Sequence, residues 1–179
     1  MKDITLKDYR FLTKDEHKKL LAIRNQDEVR EVSLNQDMIT LDNHLLWVKN
    51  LKDDMTKEYF AIIYDDKIIG GVNIFDIDSK LKWGIFFDTQ VSLMIKSVIP
   101  IYFINFIFDT FDCDKVYAEI KKENLNALSY NKNLGFKMLE DKDIITMHLD
   151  ANAYREVKQS FLLKRVVKKM SLYNFEIKR

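Results

Sequence analysis

The sequence predicts an α+β domain: a mixed, mostly antiparallel central sheet flanked by helices, with a C-terminal helical tail. Three observations predict it. A first strand is followed by helical stretches only. Two β-rich runs then surround Asp65-Asp66, with a third directly after them. From there the chain alternates helix, strand, helix, strand, which is not the regular βαβ wheel of a parallel sheet.

Residues 4 to 12 read as the first strand. Thr13 opens a helix to Arg24, because Thr13 and Glu16 form a capping box and Leu20, Leu21 and Ile23 supply an apolar side. A short helical stretch is expected from Asp27 to Val32. Thr40 caps a third helix, LDNHLLWVKNLKDD, with Leu41, Leu45, Val48 and Leu51 on one side. EYFAIIYDDKIIGGVNIFDID reads as a hairpin, and SKLKWGIFF as a third strand. VSLMIKSVIPIYFINFIFDTF is long enough to favour a helix, which Pro100 either starts or kinks. DKVYAEI is a strand, NLNALSYNKNLGF a helix ended by Gly135, and DIITMHL a last strand.

The chain of 179 residues suits one domain with a sizeable core. The first 151 residues form it in this reading, and residues 152–179 form a basic amphipathic tail. That tail carries eight basic residues against two acidic ones, a formal +6, which leaves −5 for the remainder. Leu162, Leu163, Val166, Val167 and Met170 make its apolar stripe; Lys164, Arg165, Lys168 and Lys169 make its basic face. A helix folded back onto the domain, or across a homodimer, is one reading of it. An anionic membrane surface is the other.

A formal charge of +1 gives no global field that would recruit nucleic acid. One cysteine, Cys113, allows no internal disulfide. The N-terminus has no signal-type apolar core, and the most apolar run, VIPIYFINFIF, falls short of the ~20 residues of a membrane helix. A cytoplasmic protein is the expectation. Neither His44 nor His148 has metal-ligand spacing, His17 reads as lying on a solvated helix face, and no metal is expected.

The most specific stretch is KVYAEIKKENLNALSYNKNLGFKML, in which a strand leads to Asn124, then Ala127 on a helix, then Leu134-Gly135-Phe136. It resembles the GNAT acyltransferases, which move an acyl group from coenzyme A to an amine, over residues 4 to about 149. LLAIRNQDEVREVSL with ITLDNHLLWVKNL looks like the branch that acylates nucleotide-linked amino sugars, including the N-acetyltransferases of pseudaminic acid (flagellin glycan) synthesis. Branches that modify protein N-termini share the Arg-Asn phrase.

The resemblance implies acetyl-CoA or another acyl-CoA as co-substrate, lying in a cleft where the strands WGIFF and KVYAEI part. It implies a small amine acceptor bound by Arg24, Asn25, His44 and Trp47. Such a reaction needs a group to take the amine's proton, donors for the thioester oxygen, and an acid for the leaving thiolate. The resemblance gives the first role to Glu119, although a solvated strand-face glutamate is the bland alternative. It gives the second to backbone amides at Ile85, Phe86 and Phe87, beside a bulge that Gly84 suits; plain core strand is the alternative there. The family's acid tyrosine falls on Asn131, which can donate a hydrogen bond but cannot deliver a proton. Tyr130 is one place earlier, ~100° around the helix.

The family's phosphate turn reads Arg or Gln, two variable residues, Gly, one variable, then Gly or Ala. Here Val91 takes the first place, or Gln90 one register away, and Ser92, Met94 and Lys96 stand where glycines would. Two readings follow. In one, the helix N-terminus around Leu93, Met94 and Ile95 holds the pyrophosphate, helped by Gln90, Ser92 and Lys96, with Asn124 also on the coenzyme side. In the other, the bulky residues block the backbone. The protein then uses another donor such as an acylated carrier protein, or binds without catalysis.

Overall fold

A computed structural model describes residues 2–179 and shows an α+β protein with eight strands, in the order β6-β7-β5-β4-β3-β2-β1-β8. Its contacts divide it into two compact units. One holds the N-terminal residues to Phe75, Gly84–Val91 and Leu172–Arg179; the other holds Asp76–Trp83 and Ser92–Ser171.

In the first unit, β1 (Lys2–Asp8) runs into a 3-10 turn (Tyr9–Phe11) and then α1 (Lys14–Arg24). The expected first strand is therefore shorter, because Asp8 accepts the Arg10 amide and turns the chain. Both arms of the Thr13–Glu16 capping box form. After α2 (Asp27–Arg30) and α3 (Leu41–Leu51) come β2 (Glu58–Tyr64) and β3 (Lys67–Phe75). These pair antiparallel around Asp65 and Asp66, both at positive φ (52° and 60°), the geometry of a tight two-residue hairpin. Alternate residues of β1, Ile4 and Leu6, are fully buried. β4 (Lys82–Phe87) belongs to this unit from Gly84 onward.

Gly70 and Gly71 explain how close β4 comes to β3. A Cβ at Gly70 would stand 2.2 Å from the Phe86 carbonyl oxygen, and one at Gly71 would stand 2.5 Å from the Tyr9 hydroxyl. Gly84 has no positive φ, so the expectation of a bulge-suited glycine gains nothing from its backbone; it faces the Asn73 side chain instead.

In the second unit, α4 (Leu93–Thr110) precedes β5 (Lys115–Lys121), α5 (Leu125–Asn133), β6 (Lys137–Glu140) and β7 (Ile144–Asp150). α4 is long and apolar enough to cross a membrane by composition, yet Ile95, Val98, Ile99, Ile101, Phe103, Ile104 and Ile107 are all buried within the protein. Pro100 lies inside it. β5 and β7 pair antiparallel along seven residues, whereas β4 meets β5 in parallel at one register position, Lys82 with Tyr117.

The tail departs from a purely helical reading. It is helical through α6 (Ala151–Val157) and α7 (Phe161–Met170), and then forms β8 (Tyr173–Lys178), parallel to β1. Phe175 and Ile177 stand opposite Ile4 and Leu6, which draws the apolar alternation of YNFEIK onto the sheet. In α7 Leu163 is buried and Lys164, Lys168 and Lys169 are exposed; the side chain of Leu162 lies outside the described residues.

Candidate active site

Of the residues expected to bind the acceptor, His44 and Trp47 lie against Tyr9 in the first unit. The Tyr9 ring centroid lies 6.0 Å from that of His44, 6.2 Å from Trp47 and 5.7 Å from Tyr59, and Trp47 meets Tyr59 edge-on at 4.7 Å. Trp47 is 37% exposed, so this aromatic wall has an open side. The Phe86 ring reaches it too, since the Cβ position of Gly71 is 2.7 Å from that ring and 2.5 Å from the Tyr9 hydroxyl. Tyr9 and Tyr59 were not among the expected site residues. No local motif marks them, because only packing brings the 3-10 turn against α3 and β2.

His17 is a correction. It is buried, and its Nδ1 lies 3.0 Å from His44 Nε2. Helix α1 turns it inward with Leu20 and Leu21, onto the face that carries the core. One hydrogen bond between two imidazoles needs one donor and one acceptor, so two protonated rings cannot share it. Burial first, and then His17, hold the His44 pKa down at about 4; burial also lowers that of His17, against a smaller opposite effect of Glu16.

That arrangement carries a sign. A histidine held neutral when folded stabilises the protein above its ordinary pKa, and the benefit disappears as pH falls from about 6.5 toward about 4. Urea unfolding should show a loss on the order of 2 kcal/mol across that window. His44→Leu should flatten the slope; an unchanged slope would mean the buried neutral pair does not exist.

Asn25 holds structure. Its Nδ2 donates to the Ile39 carbonyl (2.8 Å) and its Oδ1 accepts from the Ile39 amide (3.0 Å), pinning the loop before α3. Arg24 is different. Its Nη2 donates to the Asn35 carbonyl at 2.8 Å, while Nη1 is buried with no partner. Burial lowers its pKa, Tyr9 acts the other way, and Arg30 adds to the lowering. An uncompensated buried guanidinium nitrogen is costly, so a ligand anion there would be stabilising.

The glycine-free turn is closed on itself. The Thr89 amide donates to Gln26 Oε1 (3.3 Å), the Gln90 amide to Asp88 Oδ1 (2.9 Å), and the Val91 amide to the Asp88 carbonyl (3.2 Å). Gln26 Nε2 also reaches Asp88 Oδ2 at 3.4 Å. These amides are engaged before any ligand arrives, so they do not replace the family's glycine amides. In the second unit, Ser92 caps α4: its side chain accepts from the Ile95 amide and its carbonyl from the Lys96 amide. Leu93 and Met94 come first in that helix, where amides have no intrahelical acceptor. The Leu93 side chain is exposed and that of Ile95 is buried, so Ile95 can offer a ligand no side-chain contact. Ile85, Phe86 and Phe87 are all half-buried.

Also in the second unit, Glu119 lies on the half-exposed face of β5 with Tyr117. Its Oε1 is 2.8 Å from Lys82 Nζ, which is 3.1 Å from Asp76 Oδ2. Asn131 is buried, with Nδ2 given to the Ala127 carbonyl and Oδ1 without a partner. Nδ2 carries a second N–H, so a donor remains beside the unpaired acceptor. Tyr130 is half-buried, and its pKa is raised by burial first and then by Tyr154 of α6. Asn124 caps α5 by accepting the Ala127 amide at 3.1 Å. Among the described residues no three metal-binding side chains gather.

The acetyltransferase (GNAT) domain pattern matches residues 9–137. The chain belongs to the GNAT acetyltransferase family. Acetyltransferase PseH of Campylobacter jejuni is 26% identical over 142 residues, 78% of this chain and 89% of that one. The crystal structure of Campylobacter jejuni N-acetyltransferase PseH in complex with acetyl coenzyme A aligns with a TM-score of 0.68 at 23% identity, over 83% of this chain and 99% of that one. Spermidine N-acetyltransferase from Vibrio cholerae, in complex with CoA and spermine, aligns at 0.74 and 14% identity, over 86% and 98%. FdhC, described as a nucleotide-linked sugar GNAT, aligns at 0.65 and 19% identity, over 85% and 90%. These three structures share the GNAT fold with this chain.

Proposed function

We propose that this GNAT enzyme transfers an acetyl group from acetyl-CoA to the amino group of a nucleotide-linked amino sugar. The observation that carries it is Arg24, whose buried Nη1 has no partner and whose charge acts on Tyr9, the centre of the aromatic wall. An aromatic wall suits a sugar or base ring, and a guanidinium suits a phosphate oxygen. A polyamine would meet the wrong sign of charge there. The likeness to PseH and to a nucleotide-linked sugar GNAT supports the same class.

In this reading the amides of Ile85 to Phe87 polarise the thioester carbonyl, and Glu119 takes the acceptor's proton through water. The amides of Leu93 and Met94, with Gln90, Ser92 and Lys96 as side-chain donors, hold the pyrophosphate. The attacking amine forms the new C–N bond, the C–S bond breaks, and coenzyme A leaves as a thiol once its sulfur is protonated by solvent.

The test is acetyl transfer from acetyl-CoA to a UDP-linked amino sugar, the free amino sugar, spermidine and a peptide N-terminus. The nucleotide sugar should be preferred. Arg24→Ala should raise its KM about 10- to 100-fold, the scale of a charge-assisted hydrogen bond, and leave the free sugar's KM unchanged. Thermal melting would show that the fold is intact. A preference for spermidine, or equal KM changes for both sugars, would sink the reading.

A further inference from the structure

Lys82 stands at the one register pair that joins β4 to β5, opposite Tyr117. Glu119 is two residues further along β5, on the same face. The lysine reaches diagonally across to it at 2.8 Å and is held from the other side by Asp76 at 3.1 Å. Asp76 adopts φ 55°, a left-handed conformation that side-chain-bearing residues rarely take, and its carbonyl accepts the Ser79 amide. The turn therefore aims its carboxylate at Lys82 at some local cost. Lys82 is only 19% exposed, so solvent screens this contact less than a surface pair.

We propose that Lys82 is a positioning residue for the transfer, anchoring the Glu119 carboxylate by one oxygen in the orientation from which it takes the acceptor's proton. The inference rests on the reading of Glu119 as the base. One oxygen, Oε1, carries the bond, so Oε2 can meet a water or an amine. With the lysine present the trio has a net charge of −1, which attracts an ammonium. Without it the Glu119 carboxylate loses its anchor and is left with Asp76 as a like charge on the other side of the vacated position, so its orientation is no longer fixed. Other ionisable groups on this face stand further off. Tyr117 and Lys121 are two residues away on β5, and Lys80 lies over the Tyr117 ring. His148 stands opposite Tyr117 and pairs with Asp150, while Glu140 on β6 is separated from Glu119 by Thr146.

The experiment is steady-state kcat and KM for Lys82→Met, Lys82→Arg, Glu119→Gln and the double variant Lys82→Met/Glu119→Gln. Lys82→Met should lower kcat about 10-fold and leave the KM for acetyl-CoA unchanged. Lys82→Arg should restore most of the lost kcat. The double variant should match Glu119→Gln alone, because Lys82 acts through that carboxylate. The inference is overturned if Glu119→Gln is crippled while Lys82→Met keeps the parent's kcat, if the two losses multiply, or if Lys82→Met is faster than the parent. A Glu119→Gln enzyme of undiminished activity would overturn the base reading, and this inference with it.

Discussion

Replacing Glu119 with Gln is expected to lower kcat/KM by about 10²- to 10³-fold at neutral pH, the range of a lost general base. The acceptor reaches the enzyme mainly as an ammonium at neutral pH and must lose a proton to attack. Glutamine keeps the size and can still hydrogen-bond to Lys82, but it cannot take that proton. The loss should therefore fall on kcat, with the KM for acetyl-CoA little changed. It should shrink as pH rises and the amine deprotonates unaided. Steady-state rates from pH 6 to pH 10 would show it. An undiminished rate at neutral pH would mean that another group, or water alone, removes the proton.

Gly70→Ala is expected to have the largest effect on stability. The added methyl would sit 2.2 Å from the Phe86 carbonyl oxygen and 2.9 Å from the Phe87 Cα, both backbone atoms that cannot rotate away. β4 would have to move, with the amides proposed to polarise the thioester. Overpacking of this kind costs about 3 kcal/mol or more. At roughly 2–4 °C per kcal/mol for a chain of this size, the melting temperature should drop by about 10 °C. Gly84→Ala is the comparison, because its methyl would come within 3.0 Å of Asn73 Oδ1, a side-chain atom that can shift. It should cost under about 1 kcal/mol. Equal melting temperatures for the two variants would show that β3 and β4 are not held this closely.

Fold and site differ in how far the sequence discloses them. The Thr13 capping box, the Asp65-Asp66 hairpin, the long α4 and the Gly135 helix stop are local signals, each satisfied within a few residues. β6 carries only KMLE, all exposed, and four residues show no usable alternation. β8 hides in a basic tail because its partner, β1, begins 171 residues earlier at Lys2. The doublet Gly70-Gly71 was a readable sign of close backbone approach, and Lys82 in the apolar run KWGIFF was a readable oddity; neither says what it meets.

The sequence by itself determined the class of fold, the family stretch from KVYAEI to LGF, and the loss of glycines from the phosphate turn. Those are properties of residue type and short spacing. Only the tertiary structure decided that the turn's amides are tied to Gln26 and Asp88, that His17 faces His44, and that Glu119 is clamped by Lys82. Each of these depends on which atoms from distant segments come within about 3 Å, and hydrogen bonds and ion pairs vary too steeply with distance and angle for spacing along the chain to foretell them.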